Sequence, residues 1–471
     1  MNPWGPKRMV SAIKVLMAHH ADGAFDPGWY QEQYGCPKAV SLIHFAFLGV
    51  HRGCLPNSRF DVATYLSLNP DVRASGMNPV LHYMLRGWSE KRPLSVMERH
   101  RSLAGRVVIP EQSARPPIAG PDPNRLKITW VIPDFIAGNG GHMNIFRMAS
   151  YLERQGHEVT LLVIHPSYHG SSSAAKKTIN RAFLDFRGEV ILAGEILPEL
   201  QGDALIATDW FTCYAVNAMS GFRKKFYFVQ DHESEFYPSG TESLLAEQTY
   251  AMGFDCLSNG KWLHHLMQQR YGCWSKHWHQ SHDRETYYTI KKASRSTNRI
   301  AFYARQVTPR RAVELGLIAL EILASRGVDF EVDFFGWDLG KPVTPYRSRS
   351  HGVLCGNELG DLYRKSAIGM VFSATNHSII NKEMMACGLP VLDLDVPSVR
   401  AVFPRDVIAT ALPRPEAIAD KLEELLGDPQ ERERLSTAGS EFAERFTWED
   451  SAKTVEEALR ERILTPEGAI A

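Results

Sequence analysis

At 471 residues the chain is too long for one compact core, and two or three domains follow. Lys+Arg and Asp+Glu both total 53; this zero formal net charge argues against nucleic acid as the main partner, because neutralising phosphates takes a basic excess. The seven cysteines (Cys36, Cys54, Cys213, Cys256, Cys273, Cys355 and Cys387) are scattered with no C-x-x-C pair, which argues against a zinc site or disulfide framework and fits a reducing compartment.

In chain order, Lys7 and Arg8 precede an apolar stretch that is broken by Lys14 and soon meets His19 and His20, so no signal-peptide core forms. The longest apolar run, residues 40–50, contains His44 and falls short of the ~20 residues a spanning helix needs. A cytoplasmic location is expected, with at most a peripheral membrane attachment. The sequence Phe25-Asp26-Pro27-Gly28-Trp29-Tyr30 returns as Phe60-Asp61-Val62-Ala63-Thr64-Tyr65. His44-Phe45 with Gly49 returns as His82-Tyr83 with Gly87, three residues later in register. Each copy predicts two short helices with an aromatic face, closed by a Gly and by Pro56 or Pro93. Two copies are too few for a stacked solenoid, which leaves residues 1–105 as a small helical packing module or a recognition and docking module.

Residues 106–125 are a linker: positions 109–124 hold five prolines and no hydrophobic period. The character then changes. Residues 128–133 read as a buried strand, followed by a Gly-rich turn and a helix to about residue 155. Apolar runs at 158–164, 189–192, 204–208 and 225–229 alternate with helical stretches, the pattern of a doubly wound parallel sheet over residues 126–292. A second series over residues 293–440 has strands at 299–303, 331–335, 368–373 and 390–394, with helices at 311–326 and 383–387. Two such domains imply a ligand in the cleft between their strand C-termini. Residues 441–463 read as a charged amphipathic crossover helix, followed by a tail to 471.

Three loops carry chemistry. The turn Asp134 to His142 contains Gly138, Gly140 and Gly141 between a strand and a helix, a place for an anion or sugar, or simply for tight packing; it has neither G-x-G-x-x-G spacing nor a Walker lysine. The second domain's first strand runs into Arg305, Arg310 and Arg311 at a helix start. Cations there are either a solvated charge cluster or, because they oppose the helix dipole, compensated by a bound oxyanion such as a diphosphate. The third loop, Ser373 to Ser378, leads towards a helix expected to open near Glu383 and stop at Gly388-Leu389-Pro390. This puts the Glu383 carboxylate in the first turn, where it could accept ribose hydroxyls or merely cap the helix.

The stretch Glu383 to Val391 resembles the E-A-M-A-C-G-x-P-V signature of retaining glycosyltransferases of family 4, in the GT-B class of two facing Rossmann-like domains. Arg305 with Arg311 resembles that family's Arg…Lys pair, with Ala312 replacing the usual Gly, and Gly140-Gly141 resembles its N-terminal glycine loop. More narrowly, residues 130–147, 228–231, 335–339 and 384–391 are similar to rhamnosyltransferases of bacterial surface-layer glycans. The resemblance runs from about residue 128 to the C-terminus, and the duplicated motif resembles an accessory module of glycan-building transferases. It implies a nucleotide-sugar donor, narrowly a thymidine-diphosphate rhamnose, and a glycan or lipid-linked glycan acceptor. No metal or other cofactor is implied. Arg305, Arg311 and helix amides would stabilise the departing diphosphate.

The same resemblance implies roles for further residues. Asp231 or Gln230, with His232 as a third candidate, would orient the acceptor or stabilise charge on the sugar. Gly336, Trp337 and Asp338 with Val353, Leu354, Cys355 and Gly356 would wall the base. One departure stands out: the family carries a Glu eight positions before Glu383, where this chain has Thr375, so the backbone amides of Asn376, His377 and Ser378 are expected to contact the sugar instead. That change also keeps open a non-catalytic glycan-binding scaffold, while a nucleotide-sugar epimerase would need more cleft carboxylates and histidines. Asp393-Leu394-Asp395 mimics a metal-binding D-x-D but follows a Rossmann strand. His277, His279 and His282 lack a carboxylate or cysteine at metal spacing and read as a surface loop near the cleft.

Overall fold

A computed structural model describes residues 24–465 apart from 89, 91, 118–119, 195 and 291–294; Lys7, Arg8, Lys14, His19 and His20, with the end of the tail, lie outside the described residues. The chain divides into two compact units, one running to Pro110 and taking in residues 165–171, the other holding the rest.

The first unit is helical, and its duplicated motif is a repeated packing solution. Asp26 caps the helix Pro27–Tyr34 and Asp61 caps Val62–Leu68, each carboxylate accepting first-turn amides. Tyr30 then meets His44 Nδ1 at 3.0 Å, and Tyr65 meets His82 Nδ1 at 2.9 Å. Each histidine leads into a widened π-helical turn, Phe45–Gly49 or Tyr83–Gly87. The glycines that end these turns are sterically required, since a Cβ on Gly49 or Gly87 would lie 2.5 or 2.1 Å from the hydroxyl of Tyr30 or Tyr65. Phe25, Tyr30, Phe45, Phe60, Tyr65 and Tyr83 are all buried in the shared core. The second copy departs from the expected two helices: Asn69-Pro70 interrupts the chain and an extra helix, Pro70–Ser75, takes up the three additional residues.

The second unit contains two parallel sheets. The first has the order β3-β2-β1-β4-β5-β6-β7, from β1 (Lys127–Pro133), β2 (Glu158–Ile164), β3 (Glu189–Ala193), β4 (Gly202–Ala207), β5 (Phe222–Val229), β6 (Asp255–Asn259) and β7 (Ser275–Trp278). The second has the order β10-β9-β8-β11-β12-β13, from β8 (Arg299–Tyr303), β9 (Glu331–Phe335), β10 (Arg347–Ser350), β11 (Ile368–Met370), β12 (Val391–Leu394) and β13 (Ala409–Ala411). The central strands are near-continuous apolar runs because helices cover both faces. β6, β7, β10 and β13 escaped the sequence reading because Asp-Cys-Leu-Ser-Asn, Ser-Lys-His-Trp, Arg-Ser-Arg-Ser and Ala-Thr-Ala carry no apolar run. Order reverses beside β1 and β8, so the crevices of both sheets open where these strands end.

Trp130, Phe228 and Trp278 fill the first core, with the Phe228 and Trp278 rings stacked 4.7 Å apart. The chain leaves this domain after β7 and returns before the helix Trp448–Leu464, whose Ala452, Val455, Ala458 and Leu459 complete the same core. The expected continuous helix from 441 is therefore broken. Pro429–Ala443 ends on the second domain, and Thr447 restarts the chain by capping Asp450 N at 3.0 Å.

Candidate functional site

β1 ends in the glycine turn, where Gly138 adopts φ +83° and the helix Gly140–Arg154 begins. Its first amides already have a partner: Asn139 Oδ1 accepts Gly141 N at 3.1 Å and His142 N at 3.4 Å. A Cβ on Gly140 would meet nothing within 4 Å and one on Gly141 would make only ordinary contact, so neither glycine is fixed by packing. Gln230, just past β5, holds this turn by accepting from Asn144 Nδ2 at 2.9 Å and donating to Gly141 O at 3.2 Å. His232 turns inward, its Nε2 2.7 Å from the Tyr271 hydroxyl and its Nδ1 3.0 Å from Glu235.

Opposite, β8 delivers the arginine turn. Arg305 is exposed, its Nε donating to Thr308 Oγ1 at 3.2 Å. Arg311 is half-buried and donates to Phe372 O at 3.3 Å and Ser373 Oγ at 3.4 Å. Ala312 adopts φ +42°, the left-handed conformation that suits the glycine of the resembled family. Arg310, left outside the expected pair, reaches the other domain: its Nε lies 3.3 Å from Asp231 Oδ2, and its guanidinium stacks 4.3 Å over Phe236. The doubled arginine after Pro309 was the available signal.

The third loop closes on the same carboxylate. Thr375 Oγ1 donates to Asp231 Oδ2 at 3.1 Å, Asn376 N donates to Oδ1 at 3.0 Å, and His232 N donates to Oδ1 at 2.9 Å. Asn376 also donates from Nδ2 to Gln230 O and Asn259 O. The Asn376 amide, expected to contact the sugar, is here engaged by Asp231. His377 is buried against Gly260, with its Nδ1 3.0 Å from Asn376 Oδ1, and Ser378 Oγ caps Ile380 N at 3.3 Å. A glutamate at 375 would push a second carboxylate against Asp231, and like charges at that range disfavour each other. One carboxylate sits here, supplied from the first domain.

Glu383 requires a correction. The helix runs Ile379–Ala386, so Glu383 is its fifth residue and not a first-turn carboxylate. The dipole argument falls away; Ser378 starts the helix earlier than the apolar pattern suggested. Burial pushes Glu383 up to about 7, against the pull of Arg147. Its Oε2 is buried with no hydrogen-bond donor, an acceptor still to be filled.

Gly336 adopts φ +95°, and a Cβ there would lie 2.4 Å from the Tyr303 ring. Trp337 and Leu354 are half-buried and Asp338 and Val353 exposed, while exposed Cys355 precedes the helix Gly356–Lys365. These residues follow β9 and β10. The remaining motifs resolve differently. Asp393 is fully buried and accepts from Ser373 N, Leu394 N and Asn381 Nδ2 at 2.9, 2.7 and 2.7 Å, so it braces the third loop. His277 lies on β7 with its ring 5.2 Å from His264 and 5.1 Å from His279, and His282 is buried, which corrects the surface-loop reading. Among the described residues no group of three or more His, Cys, Asp or Glu is placed to hold a metal ion.

This architecture is the GT-B fold, two Rossmann-like domains with their strand ends turned towards a shared site. It aligns with HepE of Anabaena in complex with UDP at TM-score 0.54 and 13% identity, over 71% of this chain and all of that one. Sucrose-phosphate synthase of Thermosynechococcus elongatus aligns at TM-score 0.52 and 12% identity, over 72% and 99%. Within the second domain, residues 298–423 match the model of the C-terminal domain of WsaF. The O-antigen biosynthesis protein RfbC of Myxococcus xanthus is 29% identical over 343 residues, 70% of this chain. That alignment spans 27% of the relative's own length.

Proposed function

We propose that the chain is a glycosyltransferase that moves a sugar from a nucleotide-sugar donor to a glycan or lipid-linked glycan acceptor in surface-polysaccharide assembly. The observation that carries this reading is the convergence of the arginine turn and the 373–378 loop with Asp231 and Gln230 of the facing domain. The likeness to RfbC and to the WsaF C-terminal domain supports it, as does the UDP bound by the structural neighbour.

In this reading the second domain holds the donor. Arg305 and Arg311 take the diphosphate, whose charge grows as the sugar leaves, with no divalent metal required. Glu383 Oε2 accepts a ribose or deoxyribose hydroxyl, and Gly336, Trp337 and residues 353–356 wall the base. Donor binding releases part of the Asp231 network: the amides of Asn376, His377 and Ser378 turn to the sugar, and Asp231 becomes the carboxylate beside the reacting carbon that Thr375 cannot provide. The family 4 resemblance makes the reaction a retaining one and thymidine-diphosphate rhamnose the first donor to try. The enzyme would work in the cytoplasm, at the inner membrane face where a lipid-linked acceptor is presented.

Thr375 and the engaged Asp231 favour one rival, a scaffold that kept the fold without the activity. Incubation with a panel of nucleotide sugars, read as released nucleoside diphosphate, separates the two. Release from at least one donor, lost in Arg311→Ala, supports the transferase; none from any donor supports the scaffold.

A further inference from the structure

Three consecutive residues on the helix Ile379–Ala386 point to three different parts of the molecule. Asn381 bonds Asp393 inside the second domain, Glu383 faces Arg147 of the first, and Lys382 between them is fully buried in a third direction. Lys382 Nζ donates to Gln280 O at 2.6 Å and lies 3.6 Å from the centre of the Phe446 ring. Gln280 belongs to the segment by which the chain leaves the first domain, and Phe446 to the segment by which it returns. These two segments are bound to each other: Ser281 Oγ donates to Phe446 O at 2.7 Å and Arg284 Nη2 to Glu444 O at 2.7 Å. Any rotation of one sheet domain against the other must be absorbed in these crossovers, and Lys382 touches both.

A buried ammonium is costly where a methionine would pack, so a charge at this junction calls for a use. The groups around it leave that charge uncompensated. His279 and His282 face it from the outgoing crossover, Glu444 stands behind His282 at 3.4 Å on the return, and His377 faces it from the 373–378 loop. Burial holds all three imidazoles below their usual range, His279 at about 3. Glu383 is the adjacent residue on the same helix. We propose that Lys382 is a positioning residue that ties the Glu383 helix to both hinge segments while its amine is neutral and releases it when the amine takes up a proton. The site would then be competent for donor only with its hinge clamped. This assignment deepens the donor-site reading and rests on it for its functional half.

Burial draws Lys382 down to about 7 from its usual 10.5. Between those values the unfolded chain holds the proton and the native protein does not, so stability rises with pH across that window. Urea unfolding of the full chain should therefore show the wild-type unfolding constant falling roughly tenfold per pH unit relative to Lys382→Met. Parallel curves would overturn the assignment. Calorimetry with thymidine diphosphate supplies the functional half. Wild-type affinity should fall as pH drops through about 7; part of that fall should vanish in Lys382→Met, and Lys382→Arg, which stays charged, should bind weakly at every pH. Glu383 titrates in the same range and with the same sign, so Glu383→Gln should remove its own share of the fall and leave the Lys382 share. An acid fall as steep in Lys382→Met as in wild type would overturn the positioning role. If the wild type binds no nucleoside diphosphate at any pH, the donor reading fails instead, and the unfolding slope still decides Lys382.

Discussion

Where the first sheet domain meets the site, its Gln230 and Asp231 are already committed. Gln230 is held by Asn144 and Gly141, and the Asp231 carboxylate is shared among Thr375, Asn376, His232 and Arg310. The second domain commits Thr375, Asn376 and Arg310 to the same contact but leaves Arg305 at the surface and Glu383 with a buried oxygen that no donor reaches. Unfilled polar capacity marks where a ligand is received, and the saturated Asp231 contact sets its position. Substitutions in that contact should therefore act mainly through stability, and those at Arg305 and Glu383 mainly through binding.

The largest effect is expected at the saturated contact. Asp231→Ala strips the carboxylate from two amides, a hydroxyl and a guanidinium across the domain contact. Breaking such a buried network costs about 3 kcal/mol. Urea unfolding should show that loss without any ligand present; an unchanged midpoint would mean the domains are held elsewhere.

Glu383→Gln should split the two quantities. Its native pKa of about 7 lies above the usual 4.5, so the proton's stabilising contribution is complete below 4.5 and is lost as pH rises through 7. The glutamine keeps the neutral form throughout. The variant should be more stable than wild type at pH 8, by about 3 kcal/mol, and equal to it near pH 4. Its affinity for uridine diphosphate should nevertheless fall roughly tenfold to a hundredfold, and less for thymidine diphosphate, which offers one sugar hydroxyl fewer. Equal affinities for both proteins would leave Glu383 as a packing residue.

Much of this arrangement could be read from the residues. Both sheets announced themselves through long apolar runs, and β1, β5 and β8 led directly to the glycine turn, Asp231 and the arginine turn. Short polar edge strands such as Arg-Ser-Arg-Ser carry no such signal, because pairing and not burial makes them strands. At the site, types and positions were legible but commitments were not. Nothing in the sequence says that the Asn376 amide is taken by a side chain 145 residues away, nor that Ser378 starts its helix five residues before Glu383. Lys382 was passed over because a lysine on a helix is normally solvated.

Smaller effects sharpen the contrast within the second domain. Arg305→Ala and Arg311→Ala should both weaken donor binding and lower kcat, but only Arg311→Ala should also cost about 1 kcal/mol of stability, since it alone bonds buried backbone. Comparable stability losses in both would contradict the exposed placement of Arg305. Ala312→Gly should relieve left-handed strain and stabilise the protein by up to about 1 kcal/mol with unchanged nucleotide affinity. A thermal midpoint below wild type would contradict the backbone conformation.

The central claim, that the second domain binds a nucleoside diphosphate through its arginine turn without metal, is tested most directly by calorimetry of thymidine diphosphate in EDTA. Wild type should bind, Arg311→Ala should bind at least tenfold more weakly, and added manganese should change neither. No binding by wild type, binding that appears only with manganese, or equal binding by the variant would contradict it.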